Sequence, residues 1–339
     1  MPRPAPPELA SRRALLSAAL SAAPGVALGA GLSAGLAGCA TTSAEAPPVD
    51  SSHPAQGQDS RALFLILHYT GESLADSLRI LTQQAVSAHY LVGDQAQPVV
   101  YRLVDESRRA WHAGDSAWQG HTMLNASSIG IEIVNPGPRS QPDGSRLAAP
   151  YPPAQVNTLI GLVRDIQARH GIRPDRILGH SDIAPQRKLD PGPAFPWRAL
   201  AEAGLLRWPD AAQLRLHTAV LQRRYPDALP EPAWWQDMLA QVGYSVPRHG
   251  QLDSATRQVI TAFQMKYRPA RYDGLPDRET AVWLQAVAST GAADTAANLG
   301  AGTLPSGASK PGGSAVWQGS APAQPMPAGG PSDNGECPP

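Results

Sequence analysis

Between Gly179 and Pro193 the chain reads Gly-His-Ser-Asp-Ile-Ala-Pro-Gln-Arg-Lys-Leu-Asp-Pro-Gly-Pro, so that His180, Lys188 and Asp190 bring an imidazole, an ammonium and a carboxylate into one short stretch. His and Asp are both ligand types that zinc accepts, and a third ligand from a distant strand would leave one tetrahedral position open for chemistry. Lys188 precedes Asp190 by two residues, so in an extended segment both project from one face and the ammonium can lie beside a metal without ligating it. A cation placed there can hold a developing oxyanion. Only Lys188, Lys266 and Lys310 are lysines among 28 Lys plus Arg, and a compact point charge is not interchangeable with a planar arginine fork. The same residues also suit a Pro-rich surface loop with a salt-bridged Asp and Lys, and residue types alone leave both readings open.

The elements around this stretch decide what it can reach. Pro185, Pro191 and Pro193 remove backbone donors and fix φ, so no helix longer than a turn is expected. Arg176 to Gly179 leads in as a short strand. Ala62-Leu63-Phe64-Leu65-Ile66-Leu67-His68 is a continuous apolar run that reads as a buried central strand with His68 at its carboxyl end, either a satisfied core histidine or a ligand. In Asn125 to Val134, Ile129, Ile131 and Ile133 alternate with Gly130, Glu132 and Val134. One face is apolar and Glu132 projects from the other, where a carboxylate is costly unless paired or used. Leu74–Ala85 and Pro152–His170 read as helices, the second stopped by Gly171; Ala88–Val92 and Val99–Val104 read as strands, with His89 as scaffold. Trp111-His112-Ala113-Gly114 could be core with a capping imidazole, and His121 reads as surface.

The run from Gly179 to Trp197, with His68-Tyr69-Thr70, Trp111-His112-Ala113-Gly114 and Ser128-Ile129-Gly130-Ile131-Glu132, resembles the zinc-dependent N-acetylmuramoyl-L-alanine amidases of the amidase-2 type, and within them the outer-membrane lipoprotein members. The likeness runs from about Arg61 to Ala288. It implies an α/β fold with a mixed central sheet flanked by helices, of the kind shared with peptidoglycan recognition proteins. It also implies one zinc ion on His68, His180 and Asp190, Glu132 as the catalytic base toward the attacking water, Lys188 as the oxyanion cation and His112 as a substrate contact. The implied reaction is hydrolysis of the amide between N-acetylmuramic acid and L-alanine in peptidoglycan or muropeptides. A non-catalytic peptidoglycan receptor on the same fold is the alternative; it would be expected to have lost a ligand.

Composition bounds the rest. The chain has 339 residues, zero formal net charge and 17% charged residues, which gives no polyanion-binding surface for nucleic acid. Residues 1–38 read as a twin-arginine signal peptide: Arg12-Arg13 precede a stretch without charge, and Leu36-Ala37-Gly38-Cys39 resembles the lipobox that leads to a lipidated cysteine. Cys39 would then be a lipid anchor, with Ala40 after it favouring the periplasmic face of the outer membrane. Cys39 and Cys337 are the only cysteines, so a Cys/His wall peptidase is disfavoured. Residues 39–60 read as a flexible linker, 61–210 as the amidase domain, 211–289 as a small all-α domain resembling the three-helix peptidoglycan-binding module, and 290–339 as a disordered Pro/Gly/Ala-rich tail. The module likeness rests on Ala262-Phe263-Gln264 and Asp273-Gly274, with Asp277 where the pattern has a second glycine. A monomer is expected. Loss of everything beyond about residue 210 should leave hydrolysis of small soluble muropeptides largely intact while weakening attachment to intact sacculi; a helical domain that only braces the enzyme is the alternative, and loss of folded protein would then follow.

Overall fold

Apolar runs in the sequence become the strands of one mixed sheet in the computed structural model, which describes residues 46–141 and 146–300. In chain order, β1 (Phe64–Tyr69) is followed by α1 (Leu74–Gln83), β2 (Tyr90–Val92) and β3 (Val100–Arg102). A hairpin of β4 (Ala117–Trp118) and β5 (His121–Thr122) leads to β6 (Ser128–Ile133), and a second hairpin of β7 (Pro138–Ser140) and β8 (Arg146–Ala148) leads to α2 (Pro153–His170). β9 (Ile177–Gly179) and the single turn α3 (His180–Ile183) follow, then α4 (Trp197–Glu202). The main sheet has the order β3-β2-β6-β1-β9, antiparallel only between β2 and β3. The long apolar run therefore sits where it was expected, as a strand with parallel neighbours on both sides.

Strand alternation divides the buried residues between two faces. Leu65, Leu67, Ile129, Ile131 and Ile133 pack on the Val156, Leu159, Val163 and Ile166 stripe of α2. That helix begins with Pro153 in its first turn and ends at Gly171, whose φ of 65° is the left-handed cap that glycine takes without strain. The opposite face presents Phe64, Ile66 and His68, in register with Ser128, Gly130 and Glu132.

Four helices fill the region beyond residue 210: α5 (Ala211–Arg224), α6 (Pro232–Val242), α7 (Ser254–Tyr267) and α8 (Arg278–Gly300). The last three, α6 to α8, are the expected three-helix module, and α5 precedes it. α5 carries its own start signal, Asp210 accepting from Gln213 N at 2.8 Å while the Gln213 side chain accepts from Asp210 N at 2.9 Å. α8 continues beyond residue 289 to Gly300, through an alanine-rich segment in which helix propensity outweighs the small-residue composition. The module's motif residues are structural. Gln264 bonds Gly274 N, Leu275 O and Thr280 Oγ1, and Asp277 caps α8 by accepting from Thr280 N at 2.8 Å.

The two parts share a buried core. Phe64, Ile66, Leu178 and Ile183 of the sheet side belong to the same buried cluster as Leu221, Trp235, Leu239, Val259 and Phe263 of the helices. Residues 57–300 lie within one unit, and residues 46–56 belong to another that has no helix or strand in its described part. The leader at 1–38, Cys39 and residues 301–339 lie outside the described residues. Among those described, no helix is long and apolar enough to cross a membrane.

Truncating Phe263, which is fully buried in the shared cluster, should cost about 3–5 kcal/mol. Calorimetry of the Phe263→Ala protein should show one transition, with the sheet unfolding together with the helices. Two transitions, only one of them displaced, would mean separate cores.

Candidate metal centre

Three strand ends bring the site together. β1 and β6 run parallel with His68 opposite Glu132, and β9 runs parallel to β1 on its other side and delivers His180 at the first position of α3. The loop then returns: Ser181 N donates to Asp190 O at 2.8 Å, which closes ten residues on themselves and sets the Asp190 carboxylate beside His180. Gly179 permits the return, since a Cβ there would lie 2.6 Å from Pro191 Cδ and 3.2 Å from the Trp197 ring. Tyr151 Oη donates to Pro191 O at 2.8 Å, and Arg187 donates to the carbonyls of Ala113 and Asp115, so both ends of the loop are tied to the body of the domain.

His68 Nδ1, His180 Nδ1 and Asp190 Oδ2 form a triangle with edges of 3.0, 2.9 and 3.1 Å. All three residues are buried. The hydrogen bonds behind the triangle determine which atoms carry protons. Ser128 Oγ donates to Leu124 O at 2.6 Å, so its lone pair accepts from His112 Nε2 at 3.2 Å. His112 Nδ1 is then an acceptor and takes the proton of His68 Nε2 at 3.1 Å, leaving a bare lone pair on His68 Nδ1. His180 Nε2 donates to Ala113 O at 3.2 Å, which bares its Nδ1 in the same way. Three lone pairs converging at this spacing repel one another unless a cation lies among them. Zinc with ligand bonds of roughly 2.0–2.2 Å has ligand-to-ligand edges only slightly longer than these, and two neutral imidazoles with one carboxylate are a donor set that it accepts.

Burial dominates the electrostatics. It lowers the His68 pKa to about 4, helped by His180 and opposed by Asp190. It drives His112 well below the usual imidazole range, with His68 and His89 adding to the effect. On Asp190 burial acts upward, but the two histidines beside it outweigh that and hold the carboxyl well below its ordinary value. Glu132 goes the other way, pushed well up by burial and then by Asp190, with Lys188 opposing. The Glu132 Oε2 atom is buried and has no hydrogen-bond partner among the described residues. Lys188 is half-buried and near enough to act on both Glu132 and His68.

Five of the expected site residues therefore meet in one place: His68, His180, Asp190, Glu132 and Lys188. His112 is placed differently from the expected substrate contact. Its ring lies behind His68, over Gly130, where a Cβ would come within 2.4 Å of it. The missing Cβ of Gly130 is what admits the imidazole under the sheet. His89 is scaffold as expected, accepting from Gly130 N at 3.0 Å and donating to Arg108 O at 3.1 Å, and His121 is exposed. Ser128 was not anticipated. Its signal was a serine in the apolar strand two positions before Gly130 and four before Glu132, on the face that they share.

Comparison with known proteins bears on what such a site does. A family profile described as N-acetylmuramoyl-L-alanine amidase matches residues 58–193, and one described as putative peptidoglycan binding domain matches residues 229–284. The N-acetylmuramoyl-L-alanine amidase AmiD of Escherichia coli is 42% identical over 253 residues, which cover 72% of this chain and 90% of AmiD. The chain belongs to the N-acetylmuramoyl-L-alanine amidase family. It is an amidase of the bacterial cell wall. A solved complex of E. coli AmiD with the substrate anhydro-N-acetylmuramic acid-L-Ala-D-gamma-Glu-L-Lys superposes with a TM-score of 0.64 at 41% identity, covering 71% of this chain and 94% of that one. AmpDH3 of Pseudomonas aeruginosa, solved in complex with anhydromuramic pentapeptide, gives 0.66 at 37% identity, covering 72% and 98%. The amidase match ends at Pro193, just after Asp190, and the peptidoglycan-binding match covers α6, α7 and the start of α8, leaving α5 between the two.

The relay behind His68 is testable without substrate. Ser128→Ala removes the acceptor that orients His112, and metal affinity measured by chelator competition should fall roughly 10–100-fold, the usual effect of losing such support. Unchanged affinity would mean that the His68 tautomer is set elsewhere. In the metal-free protein, His68 and His89 both have folded pKa values of about 4 against an ordinary 6.5. The unfolded chain binds more protons between those values, so stability is full above about pH 6.5 and should decline as the pH falls toward 4. Denaturant titrations across that window should show the slope.

Proposed function

We propose that this amidase is a zinc enzyme in which His68, His180 and Asp190 hold the metal, Glu132 moves the proton and Lys188 stabilises the oxyanion. The observation that carries the reading is the triangle of bare donor atoms with the partnerless Glu132 Oε2 beside it. Bound there, zinc would supply Lewis acidity, bringing the pKa of water to about 7 and polarising the scissile carbonyl. Glu132 accepts a proton from the attacking water as oxygen adds to the lactyl carbonyl carbon. Lys188 faces the negative charge that then grows on the carbonyl oxygen, an interaction stronger in the transition state than with neutral substrate. Glu132 returns the proton to the L-alanine nitrogen as the C–N bond breaks, because an amine anion is a very poor leaving group. The raised pKa of Glu132 in the metal-free chain suits a group that must carry a proton part of the time, and positive charge on the three ligands would draw it down toward the working range. A receptor would have no use for this carboxylate, nor for a complete set of ligands.

The substrate seen with AmiD and the anhydromuramic pentapeptide bound to AmpDH3 direct the reading to muropeptides that carry anhydro-muramic acid, and thus to turnover of wall fragments. The twin-arginine leader and the Cys39 lipobox support export and lipid anchoring, with the outer membrane as the site and the enzyme as a monomer. Residues 61–210 would form the amidase domain, and the helices beyond would add affinity for the intact wall.

Three variants test the chemistry. His180→Ala should lose both metal and activity; full activity in a metal-free His180→Ala protein would refute the ligand assignment. Glu132→Gln and Lys188→Ala should each retain one zinc per chain and near-normal muropeptide binding while kcat falls by roughly two to four orders of magnitude, with Lys188→Arg recovering only part. Mass analysis of digests should show free glycan and an Ala-led peptide, and a chelator should abolish both. Wild-type turnover in both charge variants would rule out this mechanism.

A further inference from the structure

The turn that presents His180 contains a second, unrelated carboxylate. Asp182 is 1% exposed, and three donors converge on its carboxylate. Its Oδ2 accepts from Gly179 N at 2.8 Å, the amide immediately before His180. The same oxygen pairs with Lys266 Nζ at 2.8 Å, and its Oδ1 accepts from Tyr244 Oη at 2.6 Å. Lys266 also donates to Ile177 O in β9 at 3.2 Å and sits 4.2 Å from the centre of the Trp197 ring, so its charge is spread over partners on both sides of the metal loop. Lys266, on α7, is 7% exposed. Tyr244 follows α6 and packs edge-on against Trp118 at 4.8 Å between ring centres. Two of the three donors to Asp182 therefore come from the region matched by the peptidoglycan-binding profile.

A buried ion pair of this kind is a poor source of net stability, because desolvation offsets most of the attraction. What it does well is fix geometry, since either charge left alone in that setting is strongly disfavoured. Here the fixed object is the turn Gly179 to Asp182, whose backbone carries a metal ligand. Tyr244 is tied in turn through Trp118 to the β4–β5 hairpin, whose neighbour Ala113 orients His180 Nε2.

We infer that Lys266 and Tyr244 are positioning residues for amide hydrolysis: acting through Asp182, they clamp the turn that presents His180, so the helical region is a working part of the metal centre as well as a wall-binding element. The inference rests on His180 being a metal ligand. It predicts that lesions far from substrate alter metal affinity and turnover without altering attachment to the wall.

The test uses the full-length protein with Lys266→Met, Tyr244→Phe and the double variant Lys266→Met/Asp182→Asn. Lys266→Met strands the Asp182 charge, and zinc affinity by chelator competition should fall at least tenfold, with kcat reduced, KM for a soluble muropeptide little changed and sacculus pelleting unchanged. Tyr244→Phe removes one hydroxyl and keeps the ring, so it folds and should show the same split on a smaller scale of a few-fold. The double variant removes both charges and should recover much of the zinc affinity lost by Lys266→Met, a recovery that simple loss of packing would not give. The visible spectrum of the cobalt-loaded protein should shift in Tyr244→Phe, reporting a displaced ligand. His180→Ala run alongside separates the two readings. If it retains metal, the ligand assignment has failed. If it loses metal while Lys266→Met and Tyr244→Phe keep wild-type affinity, spectrum and kcat, the clamp is refuted. Should Lys266→Met not fold, Tyr244→Phe decides alone, and wild-type values there overturn the proposal.

Discussion

The parallel pairing of β1 with β6 on one side and β9 on the other is the constraint on which everything else depends. Because side chains alternate with a period of two, one register puts His68 and Glu132 on the same face and brings the first residue of α3 alongside. A slip of one residue on β6 would turn Glu132 into the packing of α2 and bring an isoleucine against His68. The register is held by the five large aliphatic residues that β1 and β6 commit to the core on the α2 side. Catalytic geometry here is a by-product of core packing on the opposite face.

That arrangement leaves the site face with an unusual density of buried polar groups. Each is satisfied by a different device. His68 is supported by a chain ending at a backbone carbonyl, His180 by a carbonyl directly, His89 by a backbone amide and a carbonyl, and Asp182 by donors from two parts of the chain. Against that background Glu132 Oε2 has no donor among the described residues. An unpaired buried carboxylate oxygen is disfavoured strongly enough that it persists only where function requires it. A carboxylate oxygen without structural partners is what the proposed proton transfer by Glu132 calls for.

Much of this was legible in the sequence, because strand periodicity and proline placement are local signals. The run Ala62–His68 could only be a buried strand, and the prolines after Ala184 could only end a helix, so the ends that carry the ligands were readable from spacing. Identifying His68 and Glu132 as functional needed the resemblance, since a lone histidine or carboxylate in a strand has ordinary structural uses. The placement of His112 behind His68 was not legible because the feature that admits its ring, the missing side chain of Gly130, is eighteen residues away in sequence and adjacent only in space. Ser128 and Asp182 were passed over for the same reason: each looks like an unremarkable polar residue until its partners are known.

The division of the chain into two parts was the hardest feature to read, and the reason is physical. A hydrophobic stripe on a helix announces that it will be buried, but not against what. Val259, Ile260 and Phe263 fit the core of a free-standing three-helix module equally well, and the motif residues Gln264 and Gly274 do complete such a module internally. The distinguishing residue is Lys266. A lysine within three positions of a buried phenylalanine, on a helix this apolar, would be expected to reach solvent along its stem. Instead its ammonium is directed inward to the carboxylate of Asp182, two residues from His180. A detachable binding module would have no reason to keep a buried cation at its junction with the enzyme. A module whose packing sets the shape of the metal loop would, and then engagement of the wall and readiness for hydrolysis depend on the same set of contacts.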